Sequence, residues 1–92
     1  MITIHIPTPL RPYTGNQAAV HVEGATVGEA LGALLARHAD LTKHLRDSEG
    51  RLRSFVNVYL GDEDIRHLQG EATPVSAGAE LMIVPSIAGG KK

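Results

Sequence analysis

Residues 26–39 read TVGEALGALLARHA, and this stretch decides the fold class because it predicts the main helix of a chain otherwise built from strands and turns. Thr26 and Glu29 match a capping box, in which the Thr26 hydroxyl accepts from the Glu29 amide and the Glu29 carboxylate returns to the Thr26 amide. The helix should start at Val27 and end near Ala39. One stripe of it, at spacings of three and four, carries Val27, Ala30, Leu31, Leu34, Leu35 and His38.

Two strands are expected before the helix, and together they form an N-terminal hairpin. Isoleucines alternate with polar residues over residues 2–6, a pattern that gives a strand with one apolar face and ends at Pro7. Residues 8–16 are dense in proline and turn formers, which predicts an ordered loop. The second strand is expected over residues 17–22. One face of it carries Ala18, Val20 and Val22.

The chain after the helix first continues the apolar surface and then returns to the sheet. Leu41 and Leu45 suggest a short turn against the core, and residues 47–50 form a polar loop. Residues 55–60, FVNVYL, are β-branched and aromatic, so they predict a central strand.

The last third of the domain should complete the sheet. Residues 65–68 suggest a short edge strand, residues 70–78 a loop, and residues 81–85 the last buried strand. The order ββαβ(β)β predicts an α+β roll, a mixed four- to five-stranded sheet with one main helix on one face. We place this domain at residues 1–85.

The composition excludes several classes of function. The chain has 92 residues, of which 42% are hydrophobic, and no cysteine, so one domain without disulfides or a persulfide of its own is expected. A net charge of −1 with no basic stripe, and only two Tyr and one Phe, argue against nucleic-acid binding. No apolar run approaches the roughly 20 residues that span a bilayer, so we expect no membrane partner and a cytoplasmic location.

Other side-chain sites receive little support. Five histidines suggest a metal site, but they fall on different predicted elements, and solvent-facing histidines explain them better. They are His5, His21, His38, His44 and His67, of which the first two could be cross-strand neighbours. The acidic run 62–64 reads as a charged turn, not a calcium loop, and Asp47 and Glu49 have no acid-base partner. We therefore predict no catalytic residue and no metal.

Residues 86–92 read SIAGGKK and follow the last strand without apolar material to anchor them. They predict an exposed, flexible tail. Without Cβ atoms, Gly89 and Gly90 can pass through a narrow channel and deliver a carboxyl group to a partner's active site. An ordinary frayed terminus is the alternative for a Gly pair on its own.

A family resemblance favours the first interpretation. Residues 78–90, GAELMIVPSIAGG, resemble the C-terminus of the MoaD and ThiS sulfur carriers, with a Gly-x-Glu turn, an apolar strand, a proline and an Ala-Gly-Gly ending. Residues 6–17 and 55–66 look like the CysO-type carrier of cysteine biosynthesis. Together these stretches imply a ubiquitin-like β-grasp fold.

The resemblance implies a carrier, not an enzyme. A MoeB- or ThiF-like adenylating enzyme would use ATP-Mg to activate the Gly90 carboxylate, and sulfide or a persulfide would displace AMP to leave a thiocarboxylate. A cysteine-synthase-like enzyme, or another acceptor, would take the sulfur, and a metalloprotease would release the product. The carrier binds no cofactor and is expected to be a monomer. The residues that would enter partner active sites are Ile87, Ala88, Gly89 and Gly90.

Two lysines depart from the family pattern, since Lys91 and Lys92 follow the Gly pair and carriers ready for activation end at Gly. We predict that a peptidase, such as the metalloprotease of the same pathway, removes both lysines before Gly90 is adenylated. An added extension and a carrier that has fallen silent are the alternatives.

Docking would need an exposed patch, for which the sheet face away from the helix, together with the tail, is our hypothesis. Phe55 and Tyr59 share a strand face with Asn57, and a place in the core is their alternative role. Two rival functions stay open: a protein modifier conjugated to lysines through Gly90, and an interaction module that never uses its terminus. The acceptor route also stays open among molybdopterin, thiamin, cysteine, thionucleoside and natural-product synthesis.

Overall fold

Alternating apolar residues assemble one five-stranded sheet in the computed structural model, which describes residues 1–85. The strands are β1 (Ile2–His5), β2 (Ala19–Val22), β3 (Val56–Leu60), β4 (Glu63–Asp64) and β5 (Glu80–Pro85), and the α-helices are α1 (Val27–Arg37) and α2 (Thr42–Leu45). The strand order is β2-β1-β5-β3-β4, with β1 and β5 parallel and the other neighbours antiparallel. The predicted mixed sheet with one main helix, a β-grasp roll, is confirmed.

The core lies between one face of the sheet and α1. Ile4 from β1, Leu31 and Leu34 from α1, and Leu81 from β5 are each completely buried. Leu41 and Leu45 extend this core beyond α1, as the sequence predicted. Burying one such side chain contributes about 1.5–3 kcal/mol. Within the described part of the chain, neither α-helix is long and apolar enough to cross a bilayer.

The helix cap forms with one change of partner. The Glu29 amide donates to the Thr26 hydroxyl over 3.1 Å, as the capping box predicts, but the Glu29 carboxylate accepts from the Ala25 amide over 2.9 Å and not from that of Thr26. The helix begins at Val27 and ends at Arg37, slightly before the predicted Ala39.

Two short segments differ from the prediction. Residues 8–14 form a 3₁₀ helix instead of a loop, since the prolines that exclude a strand also suit its tight turns. Residues 65–67 likewise form a 3₁₀ turn and not an edge strand, because the Asp64 carboxylate caps it by accepting from the Arg66 amide over 2.9 Å. The edge strand is β4, directly before this turn. Residues 70–72 add a further 3₁₀ turn in the predicted loop.

The last strand is only half buried. Leu81 and Ile83 lie in the core, whereas Met82 and Val84 face outward and are 47% and 37% exposed. The strand that was predicted to be buried is therefore buried on one face only, because α1 covers one face of the sheet. β2 begins at Ala19, later than predicted.

Candidate functional site

The candidate site lies at the C-terminal end of β5, the middle strand of the sheet. Gly78, with φ +86°, makes the turn into β5, where a side chain would be strained. β5 then pairs with β1 and β3, and Pro85 lies opposite Val56. Pairing with β3 as far as Pro85 fixes the position from which the chain leaves the sheet. We call Pro85 the tail base.

The residues predicted to carry the chemistry follow the tail base directly. They are Ile87, Ala88, Gly89 and Gly90, with the extension Lys91 and Lys92. All six lie outside the described residues, as does the boundary of the predicted tail at residue 86. Their roles therefore stay predictions.

The sheet face opposite α1 is partly apolar and accessible. Met82 and Val84 of β5 lie on it, with Tyr59 opposite Met82 and Asn57 opposite Val84 on β3. Tyr59 and Asn57 are half-buried, and Phe55, which directly precedes β3, is 47% exposed, so the core role considered for the two aromatic residues is wrong. We call the outward side chains of β1, β3 and β5 the docking face.

A groove of about 360 Å³ opens in the docking face beside the tail base. It exists because β1 ends at His5, which lies opposite Met82, so the last residues of β5 have no β1 partner in the sheet register. Pro7 and Pro9 form one wall, and Met82 and Val84 form part of the other. Proline-rich walls change shape little, so the groove suits an apolar side chain of a partner protein.

Polar groups border this apolar surface at fixed positions. His5 Nε2 and Glu80 Oε1 lie 2.8 Å apart across β1 and β5. Arg11 lines the groove, and its Nε donates to the Ile6 carbonyl over 3.1 Å. Beyond β3, the Arg66 guanidinium donates to the Asn57 side-chain oxygen over 2.8 Å and to the carbonyls of Ser54 and Val56.

The histidines do not converge on a metal site. Within residues 1–85, no three His, Asp or Glu side chains are placed to hold an ion. His5 and His21 are not direct cross-strand partners, since His21 lies opposite Thr3 and hydrogen-bonds to its hydroxyl over 3.1 Å. Two of the histidines are exposed as predicted, and three are half-buried instead: His5, His38 and His44. The ring of His44 lies 4.3 Å from that of Tyr13.

Both acidic segments lie at turns, but the run 62–64 is not wholly the charged turn that was predicted, because only its first residue lies in the turn and the other two form β4. Asp64 caps the 3₁₀ turn described above, and Asp47 accepts from the Arg51 and Glu49 amides over 3.1 and 2.9 Å. These two backbone hydrogen bonds, that of Arg51 first, hold the pKa of Asp47 below its ordinary value of 3.8. The predicted polar loop is confirmed.

Sequence reasoning missed both arginines that border the docking face. Arg11 sits in a stretch that drew attention only for its prolines, and the run Arg11-Pro12 was a usable signal that this cation has a restrained backbone. Arg66 gave no local signal, because its contacts to Ser54, Val56 and Asn57 join elements that are distant in sequence.

Comparisons with known proteins agree with this geometry. The chain is 42% identical over 91 residues to the sulfur carrier protein CysO of Mycobacterium tuberculosis, and the match covers 97% of this chain and 98% of that one. It is also 40% identical over 72 residues to small archaeal modifier protein 1 of Haloferax volcanii, covering 77% and 78% of the two chains.

A solved structure gives the same result. A chain in the crystal structure of the Amycolatopsis orientalis BexX/CysO complex is 41% identical and superimposes with a TM-score of 0.88, covering 98% of this chain and all of that one. The ThiS family model matches residues 4–90, a range that includes Gly89 and Gly90 and stops before the two lysines. The chain belongs to the ThiS family.

Proposed function

We propose that this chain is a sulfur carrier that works through its Gly90 carboxyl group. Once Lys91 and Lys92 are removed, that group is adenylated and thiocarboxylated, and it then donates sulfur to a biosynthetic enzyme. The observation that supports this proposal most strongly is the similarity to CysO along nearly the whole chain, together with a family match that runs to Gly90.

The chemistry needs a partner because a carboxylate is a poor acceptor for sulfur. A ubiquitin-activating-type adenylating enzyme, of the MoeB or ThiF kind, uses ATP-Mg. The Gly90 carboxylate attacks the α-phosphorus, pyrophosphate leaves, and an acyl adenylate forms. Sulfide then attacks the acyl carbon, AMP leaves and the thiocarboxylate forms. If a persulfide attacks instead, the product is an acyl disulfide, and a second thiol must cleave its S–S bond to release the thiocarboxylate. This chain supplies the terminus and the surface by which the enzyme holds it, so it acts as a cosubstrate.

The docking face is suited to that role. Its groove lies beside the tail base, so a partner that fills the groove holds the chain next to the point at which the tail leaves the sheet. Holding two reactants in place removes much of the entropic cost of their reaction. The relative in the BexX/CysO complex was crystallised with a protein partner, which supports extending protein docking to this chain.

The two lysines give the proposal its sharpest test. Full-length chain and chain ending at Gly90 are each incubated with the adenylating enzyme, ATP-Mg and sulfide, and the products are weighed by intact mass spectrometry. We expect the oxygen-to-sulfur exchange only in the chain that ends at Gly90. A chain lacking Gly89 and Gly90 is the control and should not react. Thiocarboxylate on the full-length chain would refute the need for trimming.

For the acceptor we propose a cysteine-synthase-like enzyme that attaches the sulfur to an activated serine, after which a metalloprotease frees cysteine. The similarity to CysO supports this route over the molybdopterin, thiamin, thionucleoside and natural-product routes. The test is to mix thiocarboxylated chain with that enzyme and its serine substrate. A chain-cysteine adduct is expected, and its absence while sulfur passes to another acceptor would exclude the route.

Protein modification is the second candidate, favoured by the 40% identity to small archaeal modifier protein 1. In that case the Gly90 acyl group would pass to a lysine amine of another protein. Proteomic analysis of the native host separates the two functions. Gly-Gly remnants on lysines of other proteins would support conjugation, whereas a free Gly90 thiocarboxylate without such remnants would support sulfur transfer alone.

A further inference from the structure

The docking face carries opposite charges at the two ends of β5. At the start of the strand, the Glu80 carboxylate shares a surface cleft with Asp62. At the other end, Arg11 lines the groove together with Pro85. Pro85 lies five positions after Glu80, so the two ends lie about 16 Å apart at the usual rise of a strand. This exceeds the screening length of about 8 Å at physiological salt, so the two ends act separately.

A second cation lies on the opposite side of the tail base from Arg11. Arg66 follows β4 but reaches back along the edge of β3 to the Val56 carbonyl, 2.9 Å away, and Val56 is the residue that pairs with Pro85. Arg11 is bound in the same manner to the Ile6 carbonyl next to β1. Neighbouring strands lie about 4.8 Å apart, and Arg66 binds the edge of β3 that faces away from β5, so one strand separates its guanidinium from the tail base.

The two cations keep donors for a partner. The hydrogen bonds that Arg11 makes within residues 1–85 use Nε, and those of Arg66 use its two Nη atoms. Glu71 lines a surface pocket with Arg66, but it already pairs with Arg46 at 2.8 Å. Arg11 therefore keeps both Nη groups, and Arg66 keeps its Nε–H and one Nη1 hydrogen, to donate to a carboxylate of a partner.

We propose that Arg11 and Arg66 form a cationic bracket around the tail base, and that the proteins which receive the tail carry carboxylates at the entrance of the channel that accepts it. The inference rests on the proposed function and adds the chemistry of its partners. Carboxylates at the entrance of the partner's channel pair with the bracket, and an apolar side chain of the partner fills the groove. The Glu80 carboxylate at the other end of β5 repels those same carboxylates if the partner docks in the reverse orientation. Charges of this kind at the rim of an interface fix orientation and accelerate encounter.

The test uses the chain ending at Gly90 and a ThiF-type adenylating enzyme from the same organism. Arg11→Ala and Arg11→Glu are compared with the unaltered chain by ATP–pyrophosphate exchange, and the dissociation constant is measured separately by titration. Arg37→Glu is the matched control. Arg37 also donates to a strand carbonyl, that of His21, but it lies at the β2 edge of the sheet.

We expect Arg11→Ala to raise KM about 2- to 5-fold at low salt, and Arg11→Glu to raise it further. The rate at saturation should not change, the difference should shrink as salt rises, and Arg37→Glu should have no effect. A purely structural role of Arg11 would not give this salt dependence. Arg66 is tested in the same way by Arg66→Ala, with urea unfolding to separate the loss of its backbone contacts.

An unchanged KM for Arg11→Glu, or an increase equal to that of Arg37→Glu or independent of salt, would overturn the bracket while the proposed function stands. If the unaltered chain ending at Gly90 neither binds nor supports exchange, the proposed function itself fails and the bracket with it.

Discussion

Replacing Met82 and Val84 by polar residues of similar shape should weaken docking without unfolding the protein. Met82→Gln keeps the length of the side chain, and Val84→Thr keeps the β-branch that suits a strand. Both side chains point away from the core, so the free energy of unfolding should change by less than about 1 kcal/mol. Their apolar surface is what a partner would cover.

The size of the effect follows from the exposed fractions. Complete burial of such a side chain contributes about 1.5–3 kcal/mol, and Met82 has 47% of its surface left to bury. A partner that covers it therefore gains about 0.7–1.4 kcal/mol, which corresponds to about 3- to 10-fold in affinity. Val84, which is 37% exposed, adds about 0.6–1.1 kcal/mol. The double variant should bind about 10- to 70-fold more weakly.

The assay measures the KM of the adenylating enzyme for the chain ending at Gly90, and urea unfolding measures the stability of each variant. Leu68→Gln is the matched control, because Leu68 is exposed to a similar degree, 42%, and lies outside β1, β3 and β5. The reasoning would be refuted if the double variant kept its KM while remaining folded. An equal effect of Leu68→Gln would refute it too.

Three further perturbations test what holds the fold. Glu71→Ala should lower the free energy of urea unfolding by about 1–2 kcal/mol, because it leaves Arg46, whose side chain is 16% exposed, without its ion-pair partner. Glu71 is 35% exposed, so the full cost of breaking a buried pair is not expected. No change in the free energy of unfolding would contradict this prediction. Asp47→Asn should make the free energy of unfolding fall less steeply as the pH is lowered. The Arg51 amide lowers the pKa of Asp47 in the folded protein, so this stabilisation is present above pH 3.8 and is lost as the pH falls through the folded pKa. An unchanged pH dependence would count against it. Thr26→Ala should cost about 1 kcal/mol in thermal unfolding and Thr26→Ser much less, and equal losses would argue against a capping role.

The parts of the fold that depend on residues close together in the sequence could be predicted from the sequence. The cap at Thr26 places the start of α1, and the alternation over residues 2–6 identifies β1 and its buried face. The element order ββαβ(β)β and the mixed sheet were read from the same local patterns, and the structure confirms both. These signals are strong because the helical and strand periods differ and each runs over several residues.

Other parts depend on contacts between distant segments. Residues 81–84 are all apolar, and nothing local indicates that a second face of the sheet lacks a covering layer. Residues 65–68 are too few for a period to be read, and the Asp64 cap decides their shape. The groove arises because β1 stops before β5 does. The chemistry at Gly90 was predicted through the resemblance and stays a prediction.

The central claim is that Gly90 is freed and loaded with sulfur in the cell. Its most direct test is the intact mass of the protein isolated from its native host under conditions that demand sulfur transfer. We predict a population that lacks Lys91 and Lys92 and has one terminal oxygen replaced by sulfur. A protein that retains both lysines and every oxygen under those conditions would contradict the account.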